Sequence, residues 1–185
     1  MVLCYGVMIL LQGVLKMPKL NEKLNKCLKE GEKGGIRHKG LKKIKPSKDL
    51  ALDHLKKARH DFTAITEFAK IGFSDWSASA AFYTLYHCLL GILAKNGFES
   101  RNQSCTFAMV EDLIKKGKVK EVTKEELKEI YNSDVMEDLE TSPQILDIRE
   151  NMQYSTKTLM ESDRFIKLKE RTSILLEKLR REIEK

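Results

Sequence analysis

The side chains best able to do chemistry, four histidines and four cysteines, are scattered along the chain. No cysteines form a C-x-x-C pair, and His54 and His60 are too far apart in register to share a helix face. These spacings predict no metal site and no cofactor. We expect reduced thiols, as in a cytoplasmic protein, at all four positions, which are Cys4, Cys27, Cys88 and Cys105.

The motifs of several large enzyme classes are missing from the sequence. It contains no G-x-x-x-x-G-K-S/T, G-x-G-x-x-G, G-x-S-x-G or H-E-x-x-H pattern. This argues against the common nucleotide-binding proteins, serine hydrolases and zinc proteases. An enzyme assembled from scattered residues is still compatible with the sequence.

Positive charge is concentrated near the N-terminus of a chain whose formal net charge is +7. From Lys16 to Lys48, lysine and arginine outnumber glutamate twelve to three. Such a run can contact nucleic-acid phosphates, and the alternative is a solvated, partly disordered arm. If the run binds RNA, we expect the contacts to come from Arg37, Lys39, Lys42, Lys43 and Lys45.

The first residues, Met1 to Leu15, are nearly all apolar. They lack the charged start of a signal peptide and are short for a membrane span. We therefore interpret residues 1–16 as a leader or a misassigned start, with translation beginning at Met17. Membrane attachment is not expected, although a tethered form is an alternative.

Helical periodicity dominates the rest of the chain. Apolar residues from Ser47 to Ile71 step by three or four, which predicts an amphipathic helix. The next segment, capped by Ser74-Asp75 and ending before Gly97, is apolar around most of its girth, so we expect it to be the central helix.

Further helices are expected at about Ser104 to Lys116, after a capping box at Thr123, after Ser142-Pro143, and from Phe165 to Ile183. No segment alternates long enough to predict a strand, and Gly31 to Gly40 predicts a flexible loop. The predicted fold is all-α: an antiparallel up-down bundle of four to five helices over residues 47–185, preceded by a basic arm or linker over residues 17–46.

Three stretches together resemble the HEPN domain family, in particular its small stand-alone prokaryotic branch. They are KKIKPSKDLALDHLKKARHD (Lys42 to Asp61), DWSASAAFYTLYHCLLGILAKNGFESRNQSC (Asp75 to Cys105) and DIRENMQYS (Asp147 to Ser155). The resemblance implies a helical bundle that is usually a homodimer. It also implies a partner, a minimal nucleotidyltransferase encoded beside it, in a toxin–antitoxin pair.

Active members of the family are metal-independent ribonucleases that use an arginine followed, after four to six residues, by a histidine. The resemblance places the arginine at Arg149, where it would clamp a phosphate. Tyr154 stands where the histidine would first be allowed, and Gln103 stands where the family often has another histidine. Since losing a general acid–base group costs about 10²–10⁴-fold, the resemblance implies a degenerate site with weak or absent ribonuclease activity.

Each of these residues also has a structural interpretation. Arg149 could form an ion pair with Asp147, Glu150 or a carboxylate of a neighbouring helix. Tyr154 could be a half-buried ring at the edge of the bundle. In some systems of the family a tyrosine near this motif is nucleotidylated by the partner enzyme, and Tyr154 is the candidate by position.

The aromatic segment favours packing over chemistry. We expect His87 to be a hydrogen-bonded core histidine, Tyr83 and Tyr86 to pack in the core or in a dimer seam, and Trp76 to pack near the helix start. The predicted function is a non-catalytic or weakly active HEPN-like module that binds RNA or a nucleotide substrate. A ribonuclease toxin that uses Arg149 with an unusual base, and a generic basic RNA-binding helical protein, are the alternatives.

Overall fold

The computed structural model describes residues 20–131 and 145–185, and most of these residues are helical. The helices in chain order are α1 (described over residues 20–33), α2 (Lys48–Lys70), α3 (Ser74–Lys95), α4 (Gln103–Lys115), α5 (Lys124–Ile130), α6 (Ile145–Tyr154) and α7 (Ser162–Glu184). A 3-10 turn (Gly35–Arg37) and two strands, β1 (Leu41–Lys43) and β2 (Phe98–Ser100), complete the elements. The predicted all-α class is confirmed.

The amphipathic stripes predicted from periodicity are the buried faces of α2 and α7. On α2, Ala51, Leu55, Ala58 and Ile65 are buried, and the hydroxyl of Ser47 accepts the amide of Leu50 at 3.1 Å to cap the helix. On α7 the buried residues include Leu168, Thr172, Leu175, Leu179 and Ile183. Helical spacing alone therefore located both faces.

The predicted central helix is α3, which packs against α2, α4, α6 and α7. By length and composition it could cross a bilayer, yet 72% of its most apolar window is buried inside the bundle. Gly91 permits the close approach of α2, because a Cβ there would lie 3.0 Å from the carbonyl oxygen of Ala51. Buried hydroxyls of this helix bond to backbone carbonyls, as where the Ser77 hydroxyl donates to the Ile65 carbonyl of α2 at 2.7 Å. This is the pattern of the core helix of a bundle.

The predicted cap of α3 at Ser74-Asp75 is wrong. The N-cap position is Phe73, and Ser74 is the first helical residue. The Ser74 hydroxyl instead accepts the backbone amide of Met160 at 2.8 Å, which fastens the α6–α7 connection to the start of α3. The predicted capping box is confirmed between Thr123 and Glu126.

The glycine-rich segment, predicted to be a flexible loop without strands, is ordered and packed. A Cβ at Gly31 would lie 1.7 Å from the Leu41 carbonyl oxygen, and a Cβ at Gly40 would lie 2.2 Å from the Cys27 carbonyl oxygen. These glycines therefore serve close backbone packing rather than flexibility. The strands β1 and β2 pair antiparallel, with Leu41 opposite Ser100, and are too short for an alternating pattern to reveal them.

The expectation of reduced thiols is wrong for two cysteines. Cys27 of α1 and Cys105 of α4 form a disulfide across a sequence separation of 78. Cys88 is a free, buried thiol, and burial raises its pKa to about 12. Since spacing along the chain does not show which helices meet, the pairing was not visible in the sequence. The cytoplasmic location stays a prediction and loses this support.

Two further predictions lie outside the described residues: the apolar leader over residues 1–16, with Cys4, and the helix start at Ser142-Pro143. The described part of the basic arm, residues 20–46, is fastened to the bundle by the disulfide and by the β1–β2 pair.

Candidate functional site

One stripe of α3 faces outward while the rest of the helix is buried. Trp76 is 56% exposed and Tyr83 is 39% exposed, whereas Ser79 and His87 are half-buried. These positions follow one another at three or four residues, so they share one side of the helix. We call these four residues the α3 face. The expectation that Trp76 packs in the bundle is wrong, because most of its ring is open to solvent.

Arg149, on α6, lies against this face. Its guanidinium carbon is 5.2 Å from the ring centroid of Phe82 and 5.8 Å from that of Tyr83. Its Nη2 donates to Oε1 of Gln153 at 2.8 Å, one turn further along α6. These partners are two rings and an amide, and among the described residues no carboxylate forms an ion pair with Arg149. The guanidinium is thus oriented by stacking, and its charge is not neutralised by a described neighbour.

Several buried polar atoms on these elements have no hydrogen-bond partner. Within the described part of the chain they are Asp75 Oδ1, Arg149 Nε, Asn151 Oδ1 and Arg164 Nη2. Asp75 is in the first turn of α3, and two of the others are on α6, which packs against α3. Buried atoms without partners are few in native proteins, and a ligand is one explanation for them. Three of the four atoms therefore belong to α3 and α6, and the fourth, on Arg164, belongs to α7.

A groove of about 260 Å³ opens between the start of α3 and the end of α6. Gln153, the partner of Arg149, forms part of its wall. We call it the α3–α6 groove, and its lining consists of Asp75, Trp76 and Ser79 from α3, Met152 and Gln153 from α6, and residues 155–158.

Tyr154 ends α6 and is 77% exposed, so the interpretation of a half-buried ring is wrong. Five residues along an α-helix turn a side chain about 140° away from its starting direction. Within one chain, Tyr154 therefore points away from the side that Arg149 presents to α3. The structure joins Arg149 to Gln153 rather than to Tyr154.

A histidine pair that the sequence did not reveal lies between α2 and α3. The Nδ1 atoms of His54 and His87 are 3.2 Å apart, and their rings stack with centroids 5.5 Å apart. Burial and the neighbouring His87 lower the pKa of His54. Burial also lowers the pKa of His87, to which Lys57 adds, against the opposing effect of Asp61. Both rings are therefore neutral near pH 7, and one Nδ1–H donates to the other.

Asp61 adjoins this pair, with its Oδ2 3.9 Å from Nε2 of His87, and forms an ion pair with Lys57. His87 is 23% exposed, so it is a partnered histidine at the edge of the α3 face rather than a core residue. Over residues 20–131 and 145–185, no group of three or more histidine, cysteine or acidic side chains could hold a metal ion.

Because both pKa values lie below that of an unfolded histidine, the pair should make folding sensitive to pH. Between the folded and unfolded pKa values the unfolded chain binds more protons, so the free energy of unfolding falls as pH is lowered below about 6.5. We expect wild type to be less stable at pH 5.5 than at pH 7.5, and His54→Gln to reduce that difference. Urea unfolding at each pH measures it.

His60→Gln is the control for this experiment, because it removes a 77% exposed histidine of the same helix that contacts Asp61 rather than His54 or His87. An equal reduction in the His54 and His60 variants would show that the pair is not responsible.

The five cations predicted to contact RNA are all exposed, and none forms an ion pair with another described residue. Lys42 and Lys43 are on β1, whose continuation is tied to the end of α3 where the Ile44 amide donates to the Gly97 carbonyl at 2.9 Å. The α3–α6 groove and this basic strand therefore lie near opposite ends of α3, about 30 Å apart along its axis. The remaining predicted contacts are Arg37, Lys39 and Lys45.

Comparison with known families shows a match to the HEPN domain over residues 51–181. A comparison with functionally curated proteins gives no significant match. The HEPN match covers most of α2, the whole of α3 to α6 and most of α7. It does not distinguish the stand-alone branch that partners nucleotidyltransferases. Because the match spans most of the sequence and agrees with the helical fold, this chain belongs to the HEPN domain family.

Proposed function

We propose that this HEPN chain is a non-catalytic RNA-binding module in which Arg149 holds a phosphate beside the α3 face. The observation that carries the proposal is the Arg149 guanidinium, which is stacked on two rings and retains a buried Nε without a partner. Its Nη2 lies at the exposed end of the guanidinium, where it already donates to Gln153, and an arginine fork suits bidentate phosphate contacts.

The absence of catalysis follows from the residue at the end of α6. Tyr154 stands where active relatives have histidine, and a phenol is a much poorer proton shuttle near neutral pH than an imidazole. We expect the purified chain to bind end-labelled RNA in EDTA without cutting it, as followed on denaturing gels. Cleavage in EDTA that disappears in Arg149→Ala would instead make the chain a nuclease.

A ribonuclease is the second candidate, and the histidine pair favours it. His87 is one helical turn beyond Tyr83, which contacts Arg149, so a base lies on the same side of α3 as the phosphate clamp. Its neutral ring could accept a proton from a ribose 2′-hydroxyl. Loss of any cleavage in His87→Gln, with RNA binding retained, would favour this candidate.

The exposed cations of the basic strand should set the salt dependence of RNA binding. Each single-stranded phosphate contact contributes about −0.7 to the slope of log affinity against log salt. The triple variant Lys42→Gln, Lys43→Gln, Lys45→Gln should therefore flatten the slope by about 2. Anisotropy titrations of labelled RNA at several salt concentrations measure it.

The control for this prediction removes the same charge elsewhere, at the exposed lysines Lys56, Lys128 and Lys167. If both triple variants change the slope equally, net charge rather than the basic strand sets the salt dependence.

Partnership is proposed from the family resemblance, with two structural supports. The α3 face exposes the ring of Tyr83 beside Arg149, which suits a homodimer seam formed by the middle of α3 and α6, beyond the groove at the start of α3. The Tyr154 phenol is exposed at the end of α6, so a minimal nucleotidyltransferase partner in a toxin–antitoxin pair would have access to it as an acceptor. Mass spectrometry of Tyr154 after incubation with such a partner and ATP would test the second point.

A further inference from the structure

We propose that the α3–α6 groove receives one unpaired base of the bound RNA, with a preference for guanine. The inference rests on the proposed RNA-binding function and names a subsite within it. Four observations support it: the size of the groove, the exposed ring of Trp76, the buried Oδ1 of Asp75 that has no partner, and Gln153, which lines the groove and also bonds to Arg149.

The groove has the size and the wall for a single base. Its volume of about 260 Å³ is below the ~300–1,000 Å³ of pockets that bind drug-sized ligands, so the groove suits a smaller group such as a single base. Trp76 forms part of the wall with 56% of its surface exposed. Unpaired bases stack on such rings, whereas bases inside a duplex cannot reach them.

Asp75 supplies the polar recognition. Asp75 is one of the residues that line the groove, and its buried Oδ1 accepts no hydrogen bond within the described chain. Leaving a buried acceptor unmet is costly, so an N–H donor of a ligand is favoured there. The Watson–Crick edge of guanine places an N1–H and an amino group side by side, and these two donors suit a carboxylate better than the single donor group of the other bases.

The groove is held in shape before any ligand arrives. The Ser74 hydroxyl accepts the Met160 amide at 2.8 Å, which fixes the connection after α6 to the start of α3. The Ser155 amide continues the helical bonding by donating to the Asn151 carbonyl at 3.0 Å. A site that is already formed loses less free energy to ordering when it binds.

Gln153 connects the groove to the phosphate clamp. It lines the groove and accepts a hydrogen bond from Arg149. A base in the groove and a phosphate on Arg149 would therefore belong to the same nucleotide or to neighbouring ones. The basic strand, near the other end of α3, would contact phosphates further along the RNA.

The single tryptophan of the chain allows a direct test on the full protein. Trp76 fluorescence is titrated with guanosine monophosphate and, separately, with uridine monophosphate. We expect saturable quenching by both, with tighter binding of the guanosine nucleotide, and loss of that preference in Asp75→Asn. Equal affinity for both nucleotides in wild type, or no quenching, overturns the base subsite.

A second measurement uses labelled single-stranded RNA that contains guanine, followed by anisotropy. Trp76→Ala should weaken binding about 5- to 150-fold, the contribution of one stacked base. Phe73→Ala is the matched control, since Phe73 is also an exposed aromatic, at 52%, near the start of α3 and outside the groove. It should bind as wild type does.

Different results would contradict the base subsite and the RNA-binding function. If Trp76→Ala matches Phe73→Ala while Arg149→Ala weakens RNA binding, the base subsite is wrong and the RNA-binding function stands. If none of the three variants weakens binding, the RNA-binding face and the subsite within it are both wrong.

Discussion

Replacing Arg149 by alanine should weaken binding of single-stranded RNA by about 10- to 150-fold, the contribution of one hydrogen bond to a charged group. The guanidinium lies over Phe82 and Tyr83 and donates to Gln153, so its orientation is fixed before RNA arrives. Its Nε is buried without a partner, and no described carboxylate shares its charge. Alanine removes these donors. The acceptor that loses its partner, Oε1 of Gln153, is exposed and can bond to water instead.

The variant Arg149→Lys tests whether Arg149 contributes only its positive charge or also the planar pair of donors of its guanidinium. Lysine keeps the positive charge but presents no planar pair of donors and stacks less well on aromatic rings. We therefore expect the lysine variant to keep most of the binding defect of the alanine variant. Anisotropy titrations at two salt concentrations measure both variants, and the defect should persist at the higher salt.

Arg180→Ala serves as the control, since Arg180 is an arginine on α7 that forms ion pairs with Glu177 and Glu184. It should bind RNA as wild type does. Full binding by Arg149→Lys would mean that Arg149 contributes charge alone. A large loss of stability in Arg149→Ala, measured by urea unfolding, would mean that its role is structural.

Local patterns were sufficient to predict the helical fold. The spacing of Ala51, Leu55 and Ala58 located the buried face of α2, and the apolar girth of residues 74–95 identified the central helix. The capping box at Thr123 is likewise a pattern confined to four residues. Each of these signals is contained within one element, because burial repeats with the turn of the helix.

The site depended on contacts between elements, and the sequence carries little information on those. His54 and His87 are 33 residues apart, and nothing in the spacing of either indicates that α2 and α3 bring them together. Ser74 shows the same limit, because a hydroxyl at a helix start can cap its own helix or bind another segment. Arg149 was found only through its resemblance to a family motif, which did not indicate the rings of Phe82 and Tyr83 beneath it.

The prediction of a flexible loop in the glycine-rich segment was wrong for a related reason. Glycine is typical of flexible loops, but it is also required where two backbones touch. At Gly31 and Gly40 the second reason applies, because a Cβ would overlap the backbone of Leu41 or Cys27. Since those contacts form only when α1 lies beside β1, the flexible-loop interpretation could not be corrected from the sequence.

The disulfide gives the second large expected effect. Removing it with the double variant Cys27→Ala and Cys105→Ala should lower the free energy of unfolding by about 2–5 kcal/mol. The bond spans a sequence separation of 78, so the loop it closes contains β1, α2, α3 and β2. Without the bond the unfolded chain gains the conformational freedom of that long loop. Urea unfolding of wild type with and without reductant, and of the double variant, measures the effect.

Reductant supplies the internal control for this prediction. Reductant should lower the free energy of unfolding of wild type and leave that of the double variant unchanged. Because Cys88 is a free thiol, the difference in this free energy between wild type and Cys88→Ala should be the same with and without reductant. Cys27 and Cys105 are 4% and 3% exposed, so alanine also removes buried sulfur atoms, and the reductant experiment separates that packing loss from the cross-link. If wild type is equally stable with and without reductant, the disulfide does not constrain the unfolded chain, and α1 is held by packing at Leu24 and Gly31 instead.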